Sequence, residues 1–272
     1  MSKKRVLYVA QEIMPYLPES HMSKIGRFLP QKIQESGKEI RVFMPRFGLV
    51  NERRNQLHEV IRLSGMNLII EDIDHPLIIK VASIQQARMQ VYFIENEDFF
   101  HRKFIFRDAK DKFFNDNDER TIFFSKGVLE TVKKLGWAPD VIHCHGWFSG
   151  LLPLFVKTAY KDNPIFSDAK IILSLYNDGF KEKFNDNFAR KIKMKGIPDD
   201  LLNHYNNADY LSLMKGAIDH SDAFIIGEEK IDDDVLAYAK ASGKPILEYQ
   251  GDEEYFEAFN QFYDQIIESD QK

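Results

Sequence analysis

His143 and His145 stand two residues apart in the run "DVIHCH", where strand alternation sends both imidazoles to one face and Cys144 to the other. A pair of histidines can ligate a metal or move a proton. Zinc sites take three or four protein ligands, so two imidazoles alone point to no metal, with one ring packed at the strand end and the other facing a cleft. No cation lies near Cys144 in sequence to lower its pKa, which gives the thiol a structural role. Trp147, just beyond, is placed either to stack on a sugar or to pack. Earlier in the chain, "PYLPESHMSKIGRFLP", residues 15–30, joins a strand to a helix, where backbone N–H groups and close-approaching glycines hold phosphate in many α/β proteins. Here Pro18, Glu19, Ser20 and His21 occupy that turn; Lys24 or His21 could supply replacement positive charge.

The elements that position these residues read as alternating strands and helices. "RVLYVA", "EIRVFMP", "DVIHCH", "AKIILSLY", "AFIIG" and "PILEY" are short apolar runs of the kind buried on both faces of a parallel sheet. Between them, Ile25, Phe28, Leu29 and Ile33 recur at helical spacing before Gly37, and a second helix is expected near 119–135 with Ile122, Phe123, Leu129, Val132 and Leu135 buried and Gly136 as its cap. Helices are also expected through "WFSGLLPLFVKTAY", "LSLMKGAIDH", "DDDVLAYAKAS" and the C-terminal stretch; Asp232, Asp233 and Asp234 complement a helix N-terminus. The pattern predicts an α/β fold with a doubly wound, mostly parallel, Rossmann-like sheet. Residues 46–118 form an irregular insertion with antiparallel or mixed pieces, and 228–272 a closing β-α extension. No linker or repeat divides the chain, so 1–272 is read as a single domain.

Composition narrows the partners. At 272 residues and a formal charge of -5, the chain has no global basic field for nucleic acid or anionic lipid. The run "FFHRKFIFRDAKDKFF", residues 99–114, has the aromatics and cations of a nucleic-acid stacking surface, but Asp108, Asp111, Asp116 and Asp118 are interleaved or adjacent; it reads as a solvated, partner-facing loop. Gln11 and Glu12 interrupt the N-terminal apolar run before signal or membrane length, and the single cysteine suits a reducing compartment, so a cytoplasmic location is expected.

Residues 135–157, "LGWAPDVIHCHGWFSGLLPLFVK", resemble the ADP-glucose-dependent glycogen and starch synthases, as, more weakly, does "NADYLSLMKGAIDHSDAFIIGEE". The resemblance implies one lobe of a two-lobed GT-B glycosyltransferase, whose site lies between two Rossmann-like domains. It places His145, Tyr176 and Asn177 at family cleft positions, and makes Ser20, His21, Lys24, His145, Trp147 and Asn177 the candidate ligand-binding residues. Glu12, Pro15, Leu29 and Pro30 keep the family's spacing in the opening turn. Pro18, however, stands where the family carries its nucleotide-sugar lysine, Ser20 and His21 replace paired glycines, and Lys24 replaces an acid. Gly146 stands for an aspartate in the family's H-D-W, and Tyr176 for a histidine. The tail reads as a closure and not as a truncated second lobe. The expectation is therefore a catalytically degenerate synthase-like chain acting as a binding or regulatory subunit, without cofactor. ADP-glucose or α-glucan are its implied ligands, and a protein partner or second copy the implied cover of an open cleft. The alternative is an active glucosyltransferase working with a separate C-terminal lobe.

Overall fold

The apolar runs become the strands of one sheet in a computed structural model that describes residues 3–251, 253 and 255–269. The strands are β1 (Arg5–Ala10), β2 (Glu39–Pro45), β3 (His58–Glu59), β4 (Met66–Ile70), β5 (Ile73–Ile84), β6 (Met89–Glu95), β7 (Val141–His145), β8 (Lys170–Leu175), β9 (Ala223–Ile226) and β10 (Ile246–Leu247). The helices are α1 (His21–Glu35), α2 (Glu52–Asn55), α3 (Glu97–Phe100), α4 (Asn117–Leu135), α5 (Leu152–Lys157), α6 (Phe188–Ile192), α7 (Tyr210–Asp219), α8 (Asp233–Ala241) and α9 (Tyr255–Glu268). In the order β10-β9-β8-β7-β1-β2-β6, neighbours pair in parallel; β5 then runs antiparallel to β6, with β3 and β4 antiparallel to β5. The fold is the expected Rossmann-like α/β sheet, and the excursion after β2 is the expected mixed one. Strand order reverses between β1 and β7. In open α/β sheets a crevice forms there, at the carboxyl ends of the strands, and His145 and the turn after β1 both lie at that end.

Burial explains why the strands lack alternation: Val6 to Ala10 and Val141 to His145 are covered on both faces. In α1 the buried stripe is Met22, Ile25, Leu29 and Ile33. Phe28, expected on it, is instead 45% exposed and lies beneath the Arg27 guanidinium. The stripe passes through Gly26, because the helix abuts the loop after β1; a Cβ there would lie 2.7 Å from the Glu12 carbonyl oxygen. Helix α4 ends at Gly136, with φ of 61°, and buries the predicted stripe, Leu135 only partly. The helix expected through "WFSGLLPLFVKTAY" is shorter than its apolar run: a 3₁₀ turn over Trp147–Ser149 precedes α5, which starts beside Pro153 and ends before Thr158. Apolar character there reflects burial, not helical continuity.

The 99–114 segment is solvent-facing through residues 101–112, none of which is buried, while its ends and several rings pack into the chain. Phe99, Phe100 and Phe113 are buried, and Phe106 packs on Trp147 with ring centroids 4.6 Å apart. Its charges pair within the chain: Arg107 forks onto Glu182 at 2.7 Å, Arg102 pairs with Asp116, and Asp118 meets Lys191 at 2.8 Å. Arg120 ties the segment from beneath, donating from Nε to the Phe99 carbonyl at 2.8 Å. Most rings of the segment thus face inward while Phe104 stays exposed; the Arg107–Glu182 pair is part-exposed and the Asp118–Lys191 pair is buried.

Candidate functional site

The turn after β1 satisfies its own helix. Ser20 is the N-cap of α1: its Oγ accepts the Ser23 N–H at 3.0 Å, while Ser23 Oγ accepts the Ser20 N–H at 2.8 Å. The Ser20 hydroxyl in turn donates to Glu12 at 2.5 Å. Two of the donors at this helix start, the Ser20 and Ser23 N–H groups, are therefore taken up by side chains, and the Glu12 carboxylate lies against the cap. Lys24 is engaged by Glu19 at 2.6 Å. His21 lies between Tyr176 and Tyr249, ring centroids 6.3 and 6.2 Å away.

At the end of β7, His143 and His145 share one face as predicted, their ring centroids 3.8 Å apart. His143 is held from both sides, Nδ1 2.6 Å from the Tyr263 hydroxyl and Nε2 2.7 Å from Ser174 Oγ. His145 Nδ1 lies 2.9 Å from the Tyr176 hydroxyl, and its Nε2 is buried without a partner. Burial disfavours the charged form of both rings: His145 is pushed down to about 3 and His143 well below its ordinary value. Both are neutral at pH 7. Among the described residues no group of three or more His, Cys, Asp or Glu is placed to hold a metal. Cys144 points the other way, fully buried, its thiol pushed up to about 12 by desolvation.

Trp147 is only 2% exposed, its ring enclosed by Phe106, Phe113, Phe180 and Phe184, so it packs and presents no face to a sugar in this conformation. Its backbone N–H donates at 2.9 Å to Asp178, a residue that sequence reasoning missed although it follows Asn177 directly. Burial raises the Asp178 carboxyl to about 7, the Trp147 N–H opposes the shift, and the charges of Glu12 and Glu228 add to it. Asn177 is exposed, and its N–H donates to Glu228 at 3.1 Å. Gln11 was missed as well. Gly146 has φ of 81° and ψ of 160°, and a Cβ on it would lie 2.4 Å from the Gln11 side chain, whose Oε1 accepts the Phe148 N–H at 3.0 Å. The aspartate that the resemblance leads one to expect would strain this backbone and displace Gln11 from the Phe148 N–H.

The C-terminal segment covers this end of the sheet. Tyr249, Tyr255 and Phe259 close over His21, Ile25 and Tyr176, leaving a void of about 10 Å³, room for a water at most. Lys38 fastens α9 to the end of α1 through Asp264 at 2.9 Å and Asn260 at 2.7 Å. The structure thus brings His21 and Tyr176 under one cover, with His145 beneath Tyr176; Ser20, Lys24, Trp147 and Asn177 belong to its surroundings.

Comparisons with known proteins agree with this architecture. The starch synthase catalytic domain family matches residues 5–245. The glycogen synthase of Chlorobium limicola is 36% identical over 220 residues, 80% of this chain and 44% of that protein. That of Pelodictyon phaeoclathratiforme is 31% identical over 254 residues, 90% of this chain and 50% of that one. The chain thus spans about half the length of these relatives. Among solved structures, the catalytic domain of starch synthase IV from Arabidopsis thaliana, bound to ADP and acarbose, superposes with a TM-score of 0.72 over 91% of this chain and 51% of that one, at 18% identity, a likeness of fold.

Proposed function

The chain belongs to the starch synthase catalytic domain family, and from that premise we propose that this glycogen- or starch-synthase-like protein does not itself transfer glucose and acts as a binding or regulatory subunit. The observation that carries the reading is the self-satisfied turn after β1. A glucosyl donor of the ADP-glucose type presents a diphosphate, which needs cations and free N–H groups as charge develops on the leaving group. In this turn Ser20 and Ser23 cap one another, Glu12 contributes negative charge, and the charges of Lys24 and Glu19 offset one another. Nearby, Asp178 lies within the field of Glu12 and Glu228. Such a wall repels a diphosphate.

The ligand class that remains is an α-glucan or a protein partner, met outside the covered cleft. Among the described residues the ten strands join one sheet, which supports reading 1–272 as one domain closed by 228–272. Among the described residues no helix is long and apolar enough to cross a membrane; a cytoplasmic location belongs to this proposal. A second reading, glucosyl transfer together with a separate C-terminal lobe, draws on His145, whose unpartnered Nε2 would gain a partner if the tail moved away and a sugar hydroxyl entered. One assay separates the two. Purified protein incubated with ADP-glucose and glycogen is expected to release no ADP above a heat-killed control. Release above that control overturns the non-catalytic reading. Co-sedimentation with glycogen and calorimetry with maltooligosaccharides test the glucan half.

A further inference from the structure

The amino ends of the strands, across the sheet from His145, hold a cavity of about 720 Å³. That volume lies within the roughly 300–1,000 Å³ of small-molecule sites, but this wall is polar where most such sites are apolar. Four cations, Lys3, Lys38, Arg41 and Arg88, line it against one carboxylate, Glu39, in a chain whose net charge is -5. Two of these five charges are already matched. Lys38 meets Asp264 at 2.9 Å, and Glu39 meets Arg5 at 3.1 Å while accepting the Trp137 indole N–H at 3.3 Å. Lys3, Arg41 and Arg88 have no carboxylate within ion-pair distance among the described residues.

Arg41 is the informative one. Its guanidinium lies 5.6 Å from the Trp137 ring and 5.9 Å from the Tyr92 ring, and its Nε is buried without an acceptor. A part-buried cation that lacks a counter-charge is an unfavourable arrangement that a bound anion relieves. Arg88 follows a 3₁₀ turn with φ of 48°, an uncommon conformation for a side-chain-bearing residue, which sets it at the mouth just before β6. A bare phosphate would fill a small part of the space, and Glu39, Ser83 and Gln90 offer acceptors that suit hydroxyls. A purine finds no platform: Trp137 is 6% exposed and is flanked by Arg5 and Arg41.

We propose that this cavity is a binding site for a phosphorylated sugar, with the phosphate on Arg41, Arg88 and Lys3 and the hydroxyls toward Glu39, Ser83 and Gln90. The site is independent of the covered cleft and of whether the chain is catalytic. Calorimetry on the full chain, with glucose 1-phosphate, inorganic phosphate, glucose and ADP as probes, tests it. Glucose 1-phosphate is expected to bind more tightly than the other three. Arg88→Gln, at an exposed position whose effect on folding is checked by thermal melting, weakens that binding at least about tenfold, the worth of one charge-assisted contact. Arg88→Lys retains most of it, and added salt weakens it in the wild type. No binding of glucose 1-phosphate at millimolar concentration, or binding unchanged by Arg88→Gln in a folded variant, overturns the site. Inorganic phosphate binding as tightly overturns the sugar assignment, and ADP binding more tightly with the same Arg88 dependence replaces it with a nucleotide.

Discussion

Replacing His145 by glutamine should convert an acid-labile element of the fold into a pH-indifferent one. The imidazole is held down to about 3 by burial, against 6.5 for the same group in the unfolded chain. As pH falls below 6.5 the unfolded chain binds a proton that the folded chain refuses until about pH 3, so stability is fully present above 6.5 and is lost on acidification. At pH 5 the unfolded ring is favoured in its protonated form by a factor of about 30, worth about 2 kcal/mol. Asp178 works in the opposite direction: its carboxyl, raised to about 7 from 3.8, takes up a proton first in the folded chain and adds stability as pH falls from 7 toward 4. The wild-type profile therefore sums opposing contributions, and the difference between wild type and His145→Gln isolates the histidine. Urea unfolding at pH 8 should find the variant less stable by about 1–3 kcal/mol, the cost of disturbing a buried hydrogen-bonded group. At pH 5 that gap should shrink by about 2 kcal/mol. A gap that stays constant from pH 8 to pH 5, or a His145 ring seen by NMR to titrate near pH 6.5 in the folded chain, refutes the reasoning.

Gly146→Asp should fail to restore a family-like site and should destabilise the chain by at least about 3 kcal/mol, since its backbone lies in a region open essentially to glycine alone and the new Cβ meets Gln11; an unchanged urea midpoint would contradict this. Ser20→Ala removes the cap of α1 and the donor to Glu12, and a loss of about 1 kcal/mol in the same measurement is expected. Cys144 should resist a thiol reagent at pH 8 in the folded chain and react at the rate of unfolding, because its thiol is buried and held up to about 12; rapid stoichiometric labelling of native protein would show otherwise.

What could be read in advance divides along physical lines. The runs "RVLYVA" and "DVIHCH" betray buried parallel strands because a strand covered on both faces carries its environment in every residue. Helix α4 is legible in its stripe and its terminal Gly136. The short α5 is not, because burial and helix both favour the apolar residues of "WFSGLLPLFVK", and only Pro153 hints at where the helix begins. Phe28 and the rings of Phe99, Phe100 and Phe113 were misplaced for a related reason: type shows that a ring can be buried, and packing decides which rings are. The candidate site was read from the resemblance as a set of departures, at Pro18, Ser20, His21, Gly146 and Tyr176. Their partners were not, since the Gln11–Gly146 fit spans 135 positions and the Tyr263–His143 contact 120, and no local pattern encodes either.

Those partners change what the departures mean. A cleft that had only lost its ligand-binding groups would hold empty space, which is unfavourable; the orphaned His145 Nε2 does remain here, but its neighbours are filled in. Here the serine that stands for a glycine caps the helix and engages Glu12. The glycine that stands for an acid leaves room for Gln11, which satisfies the Phe148 N–H, and the tyrosine that stands for a histidine meets His145. Tyr249, Tyr255 and Phe259 then fill the space above. Each substitution is matched by a contact from within the chain, so reversing one of them alone breaks a packed arrangement without recreating an open one. Opening this cleft would take changes at Gln11, Gly146, Ser20 and the covering segment together, and that coupling supports the binding role proposed above.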